Sequence, residues 1–314
     1  MWSRGMAKHG GEPIGELLDK ARVLDKRALG KLVSVLEDER AGGALDRLEI
    51  TKALGDQPAA AIVGVTGAPG VGKSTLVAEL CRRHLHDDSD RTVAVVAVDP
   101  SSELSRGAVL GDRTRLSLPA GEPRLFFRSQ ANELELGGLS PRTFQVTRVL
   151  RRLFDLVIVE TVGVGQAEVD ICHLADLSLL LVGPESGDQV QFMKAGLIEL
   201  PDLIVATKCD LPGSKATAAR LRAGLGERTI VEVSAVKGLG MDELESRVFQ
   251  ARNPGPEAQQ AADDYFVRAW IRRQFGETGL AALSAGFAVD GGYDAQVAAF
   301  AEHYRRWLCP DEPK

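Results

Sequence analysis

Gly67-Ala-Pro-Gly-Val-Gly-Lys-Ser-Thr75 is the stretch whose reading decides the fold. It matches the pattern G-x-x-x-x-G-K-[ST] in full. It follows an apolar run, Ala61–Thr66, and opens a helix-length segment, Ser74–Leu85, which is the context that pattern requires. Gly67, Gly70 and Gly72 let successive backbone N–H groups curl around an anion without Cβ clashes. Ala68, Pro69 and Val71 fill the loop between them, and Thr75 closes it. The helix start adds partial positive charge. Lys73 is expected to reach the β- and γ-phosphates of a bound nucleotide, and the Ser74 hydroxyl to ligate Mg²⁺. A chance glycine-rich turn is the alternative, and the full pattern in this context sets it aside.

Apolar runs recur outward from this loop. They lie at Val93–Val98, Arg124–Phe127, Asp155–Glu160, Leu177–Val182, Leu203–Thr207 and Thr229–Val233. Helix-length segments separate most of them: Thr143–Leu153, Gln189–Leu200 and Ser214–Leu225. Continuous apolar strands alternating with helices predict an α/β fold with a mainly parallel sheet covered on both faces. Ligands of such sheets bind at the C-terminal ends of the strands. Residues 14–54 repeat leucine and valine at steps of three and four, which predicts a helical extension interrupted at Gly42-Gly43. Asn253-Pro-Gly-Pro256 marks another boundary, with helices expected at Ala261–Phe275 and Ala295–Leu308. The expected domains are an N-terminal extension, 1–57, a nucleotide-binding domain, 58–252, and a C-terminal helical extension, 253–314.

Four further strand ends carry polar groups. Val157-Ile-Val-Glu160 ends in a carboxylate suited to a Mg²⁺ shell, and Gly163 follows three residues later, where its N–H can approach the γ-phosphate. Asp99 ends the run 93–98 before Pro100, and Asp112 follows in the same loop. Each can face the phosphates as a metal ligand or an organiser of the attacking water. Alternatively, Asp99 forms an Asx turn and Asp112 a helix cap. Thr207-Lys208-Cys209-Asp210 fits the guanine-reading pattern Asn-Lys-x-Asp, with threonine in place of asparagine. The Asp210 carboxylate can accept two hydrogen bonds from guanine that adenine cannot supply, while the Lys208 stem packs over the base. Ser234-Ala235-Val236, after the next run, fits the loop whose backbone N–H meets the guanine carbonyl.

Together these motifs resemble the MeaB/MMAA (formerly ArgK) group of SIMIBI-class P-loop GTPases, over roughly residues 15–250. The resemblance rests on residues 67–75 and on Val-Asp-Pro-Ser-Ser at 98–102. It rests also on Gly-Asp-Arg-Thr-Arg at 111–115, Glu-Thr-Val-Gly-Val-Gly-Gln at 160–166, and Gly187-Asp188 with Lys194. It implies Ser74, Asp99 and Glu160 around Mg²⁺ and Asp112 as a carboxylate needed for hydrolysis. It implies 185–194, with Gly187, Asp188 and Lys194, as a switch that answers to a partner. The implied activity is hydrolysis of GTP to GDP and phosphate. The implied role is a metallochaperone that gates adenosylcobalamin delivery to an acyl-CoA mutase and protects or reactivates it. A stand-alone relative serving isobutyryl-CoA or 2-hydroxyisobutyryl-CoA mutase is one form of that reading. The family's homodimer is implied too, although the region past Pro256, with Trp270 and Trp307, is not matched to its dimerisation arm.

Composition bounds the alternatives. Lys and Arg number 38 against 44 Asp and Glu, a net charge of −6, which does not advertise a nucleic-acid surface. Four scattered cysteines form no C-x-x-C pair, so neither a zinc ribbon nor a redox dithiol is expected. Five histidines at 9, 84, 86, 173 and 303 form no metal-rich tract, which weighs against a nickel-insertion GTPase. Met1–Gly15 lacks a continuous apolar core, and no run approaches the roughly 20 apolar residues of a membrane helix, so a cytoplasmic protein is expected. Asp210 weighs against an ATP-dependent kinase linked to amino-acid transport. A pure binding module would show no partner-dependent turnover.

Overall fold

The computed structural model describes residues 12–38, 43–55, 59–86, 90–100, 121–132, 139–161, 167–184, 200–226, 228–251, 255–287, 289 and 291–308, with the side chains of 43–45, 99–100 and 131–132 left out. Its elements are α1 (Ile14–Arg22), α2 (Lys26–Leu36), α3 (Gly43–Leu54), β1 (Ala61–Gly67), α4 (Lys73–His86), β2 (Val93–Pro100), β3 (Leu125–Asn132), α5 (Pro141–Leu150), β4 (Leu156–Thr161), α6 (Ala167–Leu174), β5 (Leu177–Val182), β6 (Leu203–Ala206), α7 (Ser214–Leu225), β7 (Ile230–Glu232), α8 (Met241–Gln250), α9 (Pro256–Ser284) and α10 (Tyr293–Leu308). They fall into two compact units. The larger comprises Pro58–Leu139 and Leu150–Asn253, and the smaller comprises Met1–Gln57, Ser140–Val149 and Pro254–Lys314.

The larger unit is built on one sheet of seven strands in the order β3-β2-β4-β1-β5-β6-β7, every pair parallel. The phosphate-loop strand β1 therefore sits centrally, between β4 and β5. Burial of both faces explains why these strands read as unbroken apolar runs. One face packs Val63, Val65, Val95, Ile158, Leu179 and Val205 against Leu76, Val77 and Leu80 of α4 and Leu244 of α8. On the other, Leu180, Val182, Ile204 and Ala206 pack with Leu221 of α7. Gly64 is required where α6 crosses β1: a Cβ there would lie 2.5 Å from Ile171 Cγ1.

At the lower edge of the sheet a buried ion pair joins three segments. Arg151 Nη2 lies 2.7 Å from Asp176 Oδ2, which also accepts from the Ile62 N–H at 2.8 Å. Arg151 Nε donates to the Ala60 carbonyl at 2.9 Å. Helix α5 ends at Leu150, short of the expected Leu153, and closes in a tight last turn in which the Leu153 and Phe154 N–H groups share the Leu150 carbonyl. The strand expected at 124–127 runs on to Asn132, paired with β2 throughout. The helix expected at 189–200 lies outside the described residues apart from Leu200.

The smaller unit is helical and gathers three separated segments. Asp25 caps α2 by accepting from the Ala28 N–H at 2.7 Å, and α1 and α2 bury Leu17, Leu18, Leu29, Leu32 and Val33. Phe144 of α5 stacks on Phe266 of α9 at 4.3 Å and meets Tyr293 of α10 edge-on at 5.3 Å. Arg148 stands 3.5 Å from Asp263 and 3.7 Å from Asp294. Helix α9 breaks at Gly276, whose φ of 62° and ψ of −155° suit glycine alone.

Candidate functional site

The loop between β1 and α4 is shaped by glycines in conformations that other residues rarely adopt. Gly67, Gly70 and Gly72 have φ of 143°, 75° and 106°. Gly67 has a second reason: a Cβ there would lie 2.5 Å from the Leu181 carbonyl oxygen of β5. Ala68 and Val71 turn into the core, whereas Pro69 and Gly70 face solvent. Thr75 is exposed in the first turn of α4.

Lys73 begins α4 and folds back over this loop. Its Nζ donates to the carbonyls of Gly67 at 2.7 Å and Ala68 at 3.1 Å. Burial pushes its ammonium below the ordinary lysine range, and the carboxylates of Glu160 and Glu168 pull it back up. Only 8% of Lys73 is exposed, so the loop holds a nearly desolvated cation against its own carbonyls. An anion in the loop would offer that cation a stronger, charge-assisted partner.

Ser74 follows, and its hydroxyl donates to Glu160 Oε1 at 2.7 Å. The parallel register explains the meeting, because Val65 pairs with Glu160, which brings the end of β4 beside the start of the loop. A hydroxyl and a carboxylate are hard oxygen donors of the kind Mg²⁺ takes, and two protein ligands leave positions for phosphate oxygens and water. The donor set thus fits Mg²⁺. Asp99 is the last residue but one of β2, but its side chain is outside the described residues, as are Asp112, Gly163, Gly187, Asp188 and Lys194.

The guanine-reading candidates gather at the ends of β6 and β7. Thr207 is buried, and its hydroxyl donates to the Val71 carbonyl of the phosphate loop at 2.8 Å. That bond joins the strand end after β6 to the loop after β1. The amide of an asparagine at this position would have offered the same donor, so threonine keeps the link and loses the rest of the amide. Lys208 stands at φ 56°, an uncommon value for a residue with a side chain. Cys209 N–H donates to the Val233 carbonyl at 3.0 Å, which ties this loop to the one after β7. Asp210 is exposed, and its carboxyl is held below the ordinary aspartate range chiefly by a hydrogen bond from the Ser234 hydroxyl. Ser234 is 2% exposed, and Val236 is 77% exposed. The loop 234–240 closes on itself, with Ser234 N–H donating to the Leu239 carbonyl at 2.9 Å. Gly240 is obligatory there, since a Cβ would fall 2.0 Å from the Glu232 carbonyl.

Two features of this neighbourhood escaped the sequence reading. Glu168, in the first turn of α6, is a buried carboxylate that acts on Lys73. It lies just past the string 160–166 and looks like an ordinary acidic helix start. Helix α8 repeats Met241, Leu244 and Val248 at the steps that signal a helix, and those steps were legible. Arg83 of α4 donates to Asp242 and Glu245 of α8, both at 2.7 Å, and so ties the helix after the 234–240 loop to the phosphate-loop helix.

Comparison with known proteins agrees with this geometry. The family described as methylmalonyl-CoA mutase-associated GTPase MeaB matches residues 29–264. A protein of Pyrococcus horikoshii named as a GTPase is 37% identical over 264 residues, covering 80% of this chain and 82% of its own. A mitochondrial methylmalonic aciduria type A homolog of Caenorhabditis briggsae is 36% identical over 196 residues, 62% of this chain and 45% of that protein. Among solved structures, one titled LAO/AO transport system kinase superposes with a TM-score of 0.61 at 21% identity, over 94% of this chain and 97% of that one, a likeness of fold. With residues 29–264 matched to its profile and the phosphate loop intact, this chain belongs to the MeaB family of P-loop GTPases.

Proposed function

We propose that this GTPase serves an adenosylcobalamin-dependent acyl-CoA mutase, gating delivery of the cofactor and protecting or reactivating the enzyme. The match to a mutase-associated family across residues 29–264 carries the reading. In this reading the loop 67–75 binds the nucleotide phosphates, with Lys73 on the terminal ones. Ser74, Asp99 and Glu160 hold Mg²⁺, which supplies charge neutralisation at the β- and γ-phosphates. Asp112 and the Gly163 N–H serve the hydrolytic step. Thr207, Lys208, Asp210 and 234–236 read the base. The proximity of Ser74 to Glu160 and of Thr207 to Val71 supports this assignment.

Gly187, Asp188 and Lys194 belong to the switch that answers to the mutase, and the working form is a homodimer. The test combines the purified chain with its cognate mutase and measures GTP hydrolysis and cofactor loading. We expect hydrolysis to rise in the presence of mutase, and loading to depend on GTP. Asp188→Ala with Lys194→Ala should abolish the rise and leave the rate of the chain alone nearly unchanged. Hydrolysis indifferent to the mutase would remove the chaperone reading and leave a GTPase with another partner.

A further inference from the structure

The end of β4 is gripped on both faces of the sheet, and the described site uses only one of the grips. On the α4 face, Glu160 meets Ser74 at 2.7 Å. On the opposite face, the next residue, Thr161, donates its hydroxyl to the Thr66 hydroxyl of β1 at 2.9 Å. Both threonines are buried, at 1% and 0% exposure. The neighbours of this pair in the same row are apolar: Val98 is in register with Thr161, and Leu180 with Thr66. Valine would fill the same space, and two buried hydroxyls replaced by apolar groups of like shape cost the fold little. Packing therefore does not account for the hydroxyls. Position does, because the paired register between β1 and β4 runs only to Val65 and Glu160. The hydroxyl bond extends the tie by one residue, to Thr161 at the end of β4 and to the residue before Gly67 at the end of β1.

The two grips differ in their relation to a bound cation. A Mg²⁺ at this site would take a Ser74 lone pair and a carboxylate oxygen from Glu160, so the Ser74–Glu160 contact belongs to the metal shell itself. The Thr66–Thr161 bond lies on the far face, outside that shell. We infer that Thr66 and Thr161 are positioning residues that keep Glu160 in register with the phosphate loop for the metal. This inference rests on the assignment of Ser74 and Glu160 to the Mg²⁺ site.

The test is a Mg²⁺ titration of the full chain carrying a fluorescent GDP, read as the midpoint of the metal-dependent signal. Thr66→Val and Thr161→Val should each raise that midpoint about fivefold, the worth of one hydrogen bond. The double variant should match either single one, because both remove the same bond. Nucleotide affinity in excess chelator should stay near wild type in all three variants. The thermal midpoint should stay near wild type in the double variant and fall modestly in the singles, each of which leaves one buried hydroxyl unpaired, and Thr161→Ser should restore the metal midpoint. Unchanged midpoints, multiplying effects, or a fall in thermal stability without a change in the metal midpoint would overturn the inference. If the wild-type chain holds the nucleotide but shows no Mg²⁺ response at all, the metal assignment itself fails.

Discussion

At the residue scale, Thr207 shows how one functional group can stand in for another. Its hydroxyl reaches the Val71 carbonyl at 2.8 Å and is buried, so no water can replace that donor. Thr207→Val keeps the volume and removes the hydrogen bond. We expect it to weaken guanine nucleotide binding by about fivefold to tenfold, corresponding to one net hydrogen bond and an unpaired buried carbonyl. Calorimetric titration with GDP measures this directly, and an affinity within twofold of wild type would remove Thr207 from the site. The string Thr-Lys-Cys-Asp stands out in the sequence as a candidate base-reading loop because its residue types and order carry the chemistry. The target of the threonine was not legible, because Val71 lies 136 positions away and the contact depends on β1, β5 and β6 lying side by side.

At the element scale, β1 to β7 were legible because parallel strands buried on both faces are written as unbroken apolar runs. Helices were legible where leucine and valine recur at helical steps. What no local pattern announces is the polar joinery between elements. Arg151 and Asp176 follow α5 and precede β5 as unremarkable charges, yet they form a buried pair that also receives the Ile62 N–H. Asp176→Asn preserves shape and leaves the guanidinium buried without its counter-charge. We expect a loss of about 3–5 kcal/mol in denaturant unfolding. A loss below about 1 kcal/mol would mean that the pair contributes little to the fold.

His84 in α4 gives the same element a pH response. Its Nε2 lies 3.2 Å from the Thr92 carbonyl, and its Nδ1 is buried without a hydrogen-bond partner. Burial holds its pKa below the ordinary histidine value of 6.5. The unfolded chain then takes up the proton first as pH falls, so this contribution to stability is present above about pH 6.5 and is lost below it. We expect thermal midpoints of the wild type and His84→Leu to diverge in their pH dependence between about pH 7 and 5, with the wild type falling more steeply. Parallel curves would show that His84 does not titrate in this way.

At the scale of the whole molecule, two units are assembled from interleaved segments of chain. The smaller takes α1–α3, most of α5, and α9 and α10. The sequence shows each segment as a helix and gives no sign that Phe144 of α5 stacks with Phe266 of α9, 122 positions further on in the same unit. The larger unit carries both the phosphate loop and the loops proposed to read the base on the C-terminal edge of one parallel sheet, where such sheets hold their ligands.

The proposed recognition of guanine rests on Asp210, whose carboxylate can accept two hydrogen bonds that guanine supplies and adenine does not. The measurement is turnover of GTP, ATP and xanthosine triphosphate by the wild type and by Asp210→Asn. We expect the wild type to prefer GTP over ATP strongly. The Asn amide should pair with the extra carbonyl of xanthine, shifting preference from GTP toward xanthosine triphosphate by roughly tenfold or more. An Asp210→Asn chain that keeps the wild-type preference for GTP over xanthosine triphosphate would contradict the assignment of the base-reading loop.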